Sequence, residues 1–137
     1  MSSGLALNAT KLVVSDARQN YESRRHHLRG SIVPKSLDIR LAFQKRLKDI
    51  RQLRQLSQKE LGILAGLDRF VASARINRYE QGVHEPDLAT IARLATALDV
   101  PTAYLFADDE RLARLILAFN QLTLSEKDRV LKSIEAK

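Results

Sequence analysis

The chain has 137 residues, 45% of them hydrophobic, which suggests one domain with a small core and extensions. It carries a net charge of +7 and no cysteine, so a disulfide framework and a thiolate metal site are excluded. No apolar stretch approaches the roughly 18–20 residues that span a membrane, and residues 2–14 do not resemble a signal peptide, so we expect a cytoplasmic protein.

The positive charge is concentrated in the first 78 residues. Residues 1–36 carry +4, residues 37–78 carry +6 and residues 79–137 carry −3. Cationic side chains bind phosphates by displacing counterions, so this asymmetry predicts a face turned toward nucleic acid. The alternative is that the cations of the first helix only solvate an exposed surface: Lys45, Arg46, Lys48 and Arg51.

Residues 1–36 are predicted to be a basic, largely flexible N-terminal extension, because they show no sustained hydrophobic period. Such an arm could enter a DNA minor groove or follow the backbone. It could equally have no DNA role and be ordered only by a partner. His26 and His27 are adjacent and therefore make a poor metal-binding pair.

The globular part is predicted to begin at Leu37 with a helix of roughly 37–55. Phe43, Leu47 and Ile50 follow helical spacing there, and Leu53 or Arg54 continues the series.

A second helix is predicted from Gln58 to about Ala65. Ser57 and Glu60 form a capping box, in which each side chain accepts a hydrogen bond from the backbone of the other residue. Gly66 ends the helix. Gly62 lies inside it, where glycine costs roughly 1 kcal/mol against alanine, so we expect another helix to approach closely there.

The third predicted helix covers about 71–81 and is stopped by Gly82. Val71, Ile76 and Tyr79 are expected on its inward side. The polar side chains project elsewhere: Ser73, Arg75, Asn77 and Arg78.

Asp87 is predicted to cap a fourth helix directly after Pro86. Its expected buried side consists of Leu88, Ile91, Ala92, Ala95 and Leu98. Residues 99–102 break this helix, and a short fifth one carries Leu105 and Phe106.

Two further helices are predicted in residues 108–137. Residues 111–122 have amphipathic spacing, with Leu112, Leu115, Ile116 and Phe119 on the apolar side, and Ser125 caps the last helix. Their apolar faces either fold back on the core or pair with a second chain. We favour pairing with a second chain, as a homodimer.

Fifteen residues between 47 and 86 follow one another in a characteristic order: Leu47, Ile50, Arg51, Leu56, Ser57, Gln58, Leu61, Gly66, Leu67, Ile76, Arg78, Tyr79, Glu80, Gly82 and Pro86. This series resembles the Cro/CI-like (XRE) family of helix-turn-helix DNA-binding proteins. The resemblance implies an all-α fold, in which residues 37–107 form a five-helix lambda repressor-like DNA-binding domain. Residues 1–36 and 108–137 then flank it as extensions.

The chain departs from the family pattern at two points. Gly62 stands where the family usually has alanine, a change that keeps the position small. Asp68 to Ile76 spans nine residues, about four more than family members usually have there. These extra residues are either a longer turn, in which Phe70 plugs the gap, or an added helical turn. We favour the longer turn.

The resemblance, together with the polar and cationic side chains of residues 58–78, indicates which residues bind DNA. A helix in the major groove meets a distinct donor and acceptor pattern at each base pair. Base contacts are assigned to the third helix: Ser73, Ala74, Asn77 and Arg78. Phosphate contacts are assigned to Gln58, Lys59, Arg69 and Arg75. Arg51 and Glu80 match family positions that form an inward ion pair, so their expected role is structural.

The predicted function is a sequence-specific double-stranded DNA-binding transcriptional regulator, and we expect a repressor. The alternative is an antitoxin or other interaction module, whose N- or C-terminal extension binds a protein while the helix-turn-helix autoregulates. No catalytic, cofactor, metal or small-molecule site is indicated, since the three histidines are accompanied by no phosphate loop, ligand spacing or nucleophile motif.

Overall fold

The computed structural model describes residues 39–137 and, before them, residues 19, 20 and 23. Within residues 39–137 the chain forms seven helices and no strand: α1 Ile39–Leu53, α2 Gln58–Leu64, α3 Ala72–Gln81, α4 Leu88–Ala97, α5 Thr102–Leu105, α6 Glu110–Gln121 and α7 Leu124–Glu135. The all-α class, with five helices followed by two more, is therefore confirmed. Apart from those three residues, the predictions for residues 1–36 lie outside the described residues, as does the start of the first helix at Leu37.

α1 lies at the centre of the core. Phe43, Leu47 and Ile50 are buried, as their helical spacing predicts, and the helix packs against α3 and α5. It ends at Leu53, whose side chain is exposed. The largest fully buried side chains come from α1 to α4, the end of α4 and α5: Leu47, Ile50, Leu61, Ile76, Leu94, Leu98 and Leu105. These residues belong to the compact unit that extends to Lys127, and Asp128–Lys137 fall outside that unit.

Side-chain caps set the starts of α2 and α4. The Ser57 hydroxyl accepts the Glu60 N–H at 3.1 Å, and the Glu60 carboxylate accepts the Ser57 N–H at 2.7 Å. This confirms the predicted capping box. At α4, the Asp87 carboxylate accepts the Thr90 N–H at 2.7 Å. Each cap satisfies a backbone donor that has no partner within its own helix.

Gly62 lies where α2 and α3 come closest. A β-carbon at this position would lie 2.7 Å from the Ala72 β-carbon and 3.0 Å from the Ala72 backbone. The prediction that the missing side chain permits a close helix approach is therefore confirmed. The alanine usual in the family does not fit here, because α3 begins with a fully buried Ala72 against α2.

The buried side of α4 differs from the prediction. Leu88 is 81% exposed and Ala92 is exposed, whereas Leu94 is fully buried. The observed stripe consists of Ile91, Leu94, Ala95 and Leu98. Both stripes satisfy helical periodicity, and the packing of α4 against α2 and α5 selected the second.

Arg46 does not solvate the surface of α1, since only 4% of this residue is exposed. Its guanidinium donates to the Ala107 carbonyl at 2.9 Å and to the Glu110 carboxylate at 2.8 Å. The same group lies over the Tyr104 ring, 5.8 Å from its centroid. A single buried cation thus joins α1 to α5 and to the start of α6.

The cap of α7 is Thr123, and the prediction that Ser125 caps this helix is wrong. The Thr123 hydroxyl accepts the Glu126 N–H at 3.3 Å, and the Glu126 carboxylate accepts the Thr123 N–H at 2.8 Å. Glu126 stands three residues after Thr123, the spacing at which this reciprocal pair forms. The helix therefore starts at Leu124, one residue before Ser125.

We predict that Gly62→Ala destabilises the protein. In an exposed helix this substitution would gain about 1 kcal/mol, but here the new β-carbon overlaps Ala72, so we expect a net loss of about 1–3 kcal/mol in the free energy of unfolding. Urea denaturation measures the difference.

The double variant Gly62→Ala/Ala72→Gly serves as its control, because it moves the methyl group from one helix to the other. It should be more stable than Gly62→Ala alone. Equal stability of Gly62→Ala and the wild-type protein would contradict the close approach.

We predict that Glu110 stabilises the fold only above acidic pH. The hydrogen bond from Arg46, together with its charge, lowers the pKa of Glu110 below its ordinary value. A carboxyl group whose pKa is lower in the folded state stabilises that state above its unfolded pKa, and this contribution disappears as the pH falls through the folded pKa. Glu110→Gln should therefore melt below the wild type at pH 7.

The difference in melting temperature should shrink as the pH falls through the folded-state pKa of Glu110 and vanish below it, since the Glu110 carboxyl of the wild type is then protonated in both states. Asp108→Asn is the control, since Asp108 forms no ion pair within residues 39–137 and its replacement should show no such trend. A pH-independent difference for Glu110→Gln would contradict the ion-pair explanation.

Candidate nucleic-acid interface

α3 has one buried and one exposed side. Its buried residues are Ala72, Ile76, Tyr79 and Glu80. Six polar or small side chains are exposed: Ser73, Ala74, Arg75, Asn77, Arg78 and Gln81. The expectation that Val71 faces inward is wrong, since Val71 is 42% exposed and Ala72 takes the buried position against α2.

A long turn joins α2 to α3. Gly66 has a φ of 81°, which an L side chain rarely adopts, and the Leu67 N–H donates to the Gly62 carbonyl at 2.9 Å to close the end of α2. α3 begins only at Ala72, so the preference for a longer turn over an added helical turn is confirmed. The expectation that Phe70 plugs a gap is wrong, because its side chain is exposed and Leu67 packs against the core instead.

A buried ion pair joins α1 to α3. Two nitrogens of the Arg51 guanidinium donate to the two carboxylate oxygens of Glu80, at 2.5 and 3.1 Å. The remaining terminal nitrogen donates to the Leu56 carbonyl at 2.9 Å. Only 1% of the Glu80 side chain and 11% of the Arg51 side chain are exposed. The pair therefore sets the rotation of α3 relative to α1.

Gln58 connects this ion pair to the exposed side of α3. Its amide nitrogen donates to the Glu80 carboxylate at 3.0 Å and to the Asn77 side-chain oxygen at 3.2 Å. An amide nitrogen has two donors, so both are used here. Sequence spacing gave no sign of this contact, because it joins two helices. Asn77 is thereby held in one orientation, with its own amide nitrogen pointing away from Gln58.

The surface formed by α2, the turn and α3 is strongly cationic. Four basic side chains on it are exposed: Lys59, Arg69, Arg75 and Arg78. Two nearby acids, Glu60 and Asp87, accept hydrogen bonds at helix starts. The backbone N–H of Ser57 lowers the pKa of Glu60, and the backbone N–H of Thr90 lowers the pKa of Asp87. The Arg78 side chain forms no hydrogen bond or ion pair with the other residues of 39–137. Its guanidinium is available to a ligand.

Metal-binding clusters and membrane-spanning helices are absent from the described part of the chain. No three His, Asp or Glu side chains of residues 39–137 come together to hold a metal ion. Among the helices described there, none is long and apolar enough to cross a membrane.

An exposed cationic helix, presented by a turn from a shorter helix, defines a helix-turn-helix DNA-binding protein. The Helix-turn-helix family model matches residues 47–105. The chain is 33% identical over 101 residues to the cryptic phage CTXphi transcriptional repressor RstR of Vibrio cholerae, covering 69% of this chain and 86% of that protein. It therefore belongs to the Cro/CI-like (XRE) helix-turn-helix family, and it is a DNA-binding transcriptional regulator.

One solved structure gives a similar result. The transcriptional regulator BswR is 44% identical, with a TM-score of 0.65, over 69% of this chain and 93% of that one. The restriction-modification controller protein C.AhdI from Aeromonas hydrophila is 37% identical, with a TM-score of 0.44, over 49% of this chain and 96% of that one.

We predict that Glu80→Ala lowers the free energy of unfolding by about 3–5 kcal/mol, because it leaves the Arg51 guanidinium buried and without its carboxylate. Asp49→Ala is the matched control. It removes an exposed pair, Lys45 and Asp49 at 2.7 Å, which should cost under about 1 kcal/mol. Equal losses in the two variants, measured by chemical denaturation, would contradict a special role for the Arg51–Glu80 pair.

Proposed function

We propose that the protein is a sequence-specific transcriptional repressor that inserts α3 into the major groove of double-stranded DNA as a dimer. The observation that carries this proposal is the exposed side of α3, whose Asn77 is oriented through Gln58 by the buried Arg51–Glu80 pair. A rigid polar face on a helix suits the major groove, where each base pair shows its own donors and acceptors. The relative RstR is described as a transcriptional repressor.

Four residues of α3 are proposed to contact bases: Ser73, Ala74, Asn77 and Arg78. The free guanidinium of Arg78 suits bidentate contact with guanine, worth about 1–3 kcal/mol of discrimination. Asn77 presents mainly donors, since its oxygen already accepts from Gln58. Ala74 offers only a methyl group, which suits a thymine methyl.

Phosphate contacts are proposed for Gln58, Lys59, Arg69 and Arg75. Both amide donors of Gln58 are engaged in this structure, by Glu80 and Asn77, so we assign its phosphate contact to the backbone. Helix starts leave their first N–H groups without intrahelical partners, and these groups bind anions well. The N–H groups of Gln58 and Lys59 at the start of α2 are in this position.

The dimer is proposed to use the C-terminal extension, residues 108–137, outside the DNA-binding domain of residues 37–107. The family match ends at residue 105, close to this boundary. α6 turns Ala113 and Ile116 toward the core but leaves Leu112 and Leu115 44% and 48% exposed. Apolar side chains at helical spacing on an exposed face favour pairing with a second chain.

Selection of bound sequences from a random DNA pool tests the proposal. We expect the wild-type protein to select an inverted repeat whose half-sites lie about 10 base pairs apart, because a twofold dimer meets the same groove face one helical turn later. Arg78→Ala should lose preference at one base pair in each half-site. Sedimentation of the complex should give two chains per DNA site.

Three outcomes would contradict parts of this proposal. If Arg78→Ala weakens DNA binding equally for all sequences and lowers the salt dependence of the affinity, Arg78 contacts a phosphate and not a base. One chain per site would exclude the dimer. A pool without any enriched sequence would exclude sequence-specific binding altogether.

A further inference from the structure

Phe70 is the most exposed large apolar side chain within residues 39–137, at 87%. A phenyl ring in water forgoes the favourable free energy that burial of such a side chain provides. The turn does not need an aromatic residue, since turns are formed by the backbone preferences of Gly, Asn, Asp, Ser and Pro. The ring is therefore unexplained by the fold of the described residues.

The turn holds Phe70 in a defined position. The Phe70 N–H donates to the Asp68 carboxylate at 2.8 Å, and the Val71 N–H donates to the Asp68 carbonyl at 3.1 Å. These bonds form an Asx turn inside a β-turn. Asp68, the acid of this segment, is thus engaged by backbone, and Phe70 is presented on an ordered support.

Arg69 accompanies the ring. Its guanidinium lies over the Phe70 ring, 5.4 Å from the centroid. An arginine stacked on an aromatic face keeps its N–H donors in the plane of the guanidinium, where they remain available to phosphate oxygens. The exposed apolar group and a cation therefore form one unit.

The position and charge of the Arg69–Phe70 unit indicate which ligand it contacts. Phe70 stands two residues before α3, at the end of the helix whose side chains are the proposed base contacts. The exposed cations of the same surface are Lys59, Arg69, Arg75 and Arg78. An occupant that complements both the cations and an exposed apolar ring is the major groove edge of DNA, where thymine methyl groups lie beside the phosphates.

We propose that Phe70 is a further specificity-determining residue, which packs its ring against the methyl group of a thymine at the edge of each half-site while Arg69 binds the adjacent phosphate. This inference rests on the proposed DNA-binding function. It assigns a base contact to the inserted turn itself, outside α3, and so extends the recognised sequence by a position that α3 does not contact.

The test uses the full chain and the DNA sequence selected by the wild type, with each thymine replaced in turn by deoxyuridine, which lacks only the methyl group. Wild-type affinity should fall at one thymine per half-site, and Phe70→Ala should not respond to that replacement. On unmodified DNA, Phe70→Ala should bind about tenfold more weakly. Arg69→Ala should reduce the slope of log affinity against log salt by about one.

Leu41→Ala is the matched control, since Leu41 is a 62% exposed apolar residue on α1, where no DNA contact is proposed. It should bind and respond to deoxyuridine as the wild type does. All three variants should keep the wild-type melting temperature, because the replaced side chains are exposed.

Two results would overturn the proposal while leaving the proposed function intact. One is that Phe70→Ala binds DNA like Leu41→Ala and shows the same deoxyuridine pattern, while Arg78→Ala still loses its base preference. The other is that Phe70→Ala changes only the number of chains in solution, which would place the ring at a protein interface. Failure of the wild type to select any DNA sequence would instead refute the proposed function.

Discussion

The rotation of α3 depends on one buried ion pair, Arg51 with Glu80. A carboxylate that is 1% exposed must be compensated, and here a bidentate guanidinium and the Gln58 amide supply three hydrogen bonds. Such a pair adds little net stability over two apolar residues, because both charges lose their hydration. Its directional hydrogen bonds instead permit one arrangement of α1, α2 and α3. The exposed side of α3 is therefore set by a contact on its buried side.

The approach of α2 and α3 explains how the chain accommodates a longer turn. Gly62 and Ala72 bring the two helices together with almost no side chain between them, and this contact lies at the first residue of α3. The residues between Leu67 and Ala72 consequently extend into solvent without displacing the helix. The lengthened turn leaves the exposed side of α3 in place, and it adds Arg69 and Phe70 beside it.

Arg46 connects the DNA-binding core to α6. Its guanidinium is satisfied by the Ala107 carbonyl and the Glu110 carboxylate, at the junction of α5 and α6. The direction in which α6 leaves the core is thus fixed by a residue of α1. If α6 forms the proposed dimer interface, the same contact sets the separation of the two α3 helices, and with it the half-site spacing.

The sequence by itself determined where α2 and α4 begin, because Ser57, Glu60 and Asp87 act on backbone groups only three residues away. It did not determine the start of α7, where Thr123 and not Ser125 is the cap. It also determined the close approach at Gly62 and the family, since these depend on local order along the chain. Tertiary structure decided which of two equally periodic stripes of α4 is buried, that Arg46 lies inside, and that Phe70 lies outside. It also brought Gln58 to Asn77. Each of these four outcomes depends on how segments that are apart in sequence pack together. Helical periodicity predicts only that a helix has an apolar face, and it does not predict what packs against that face.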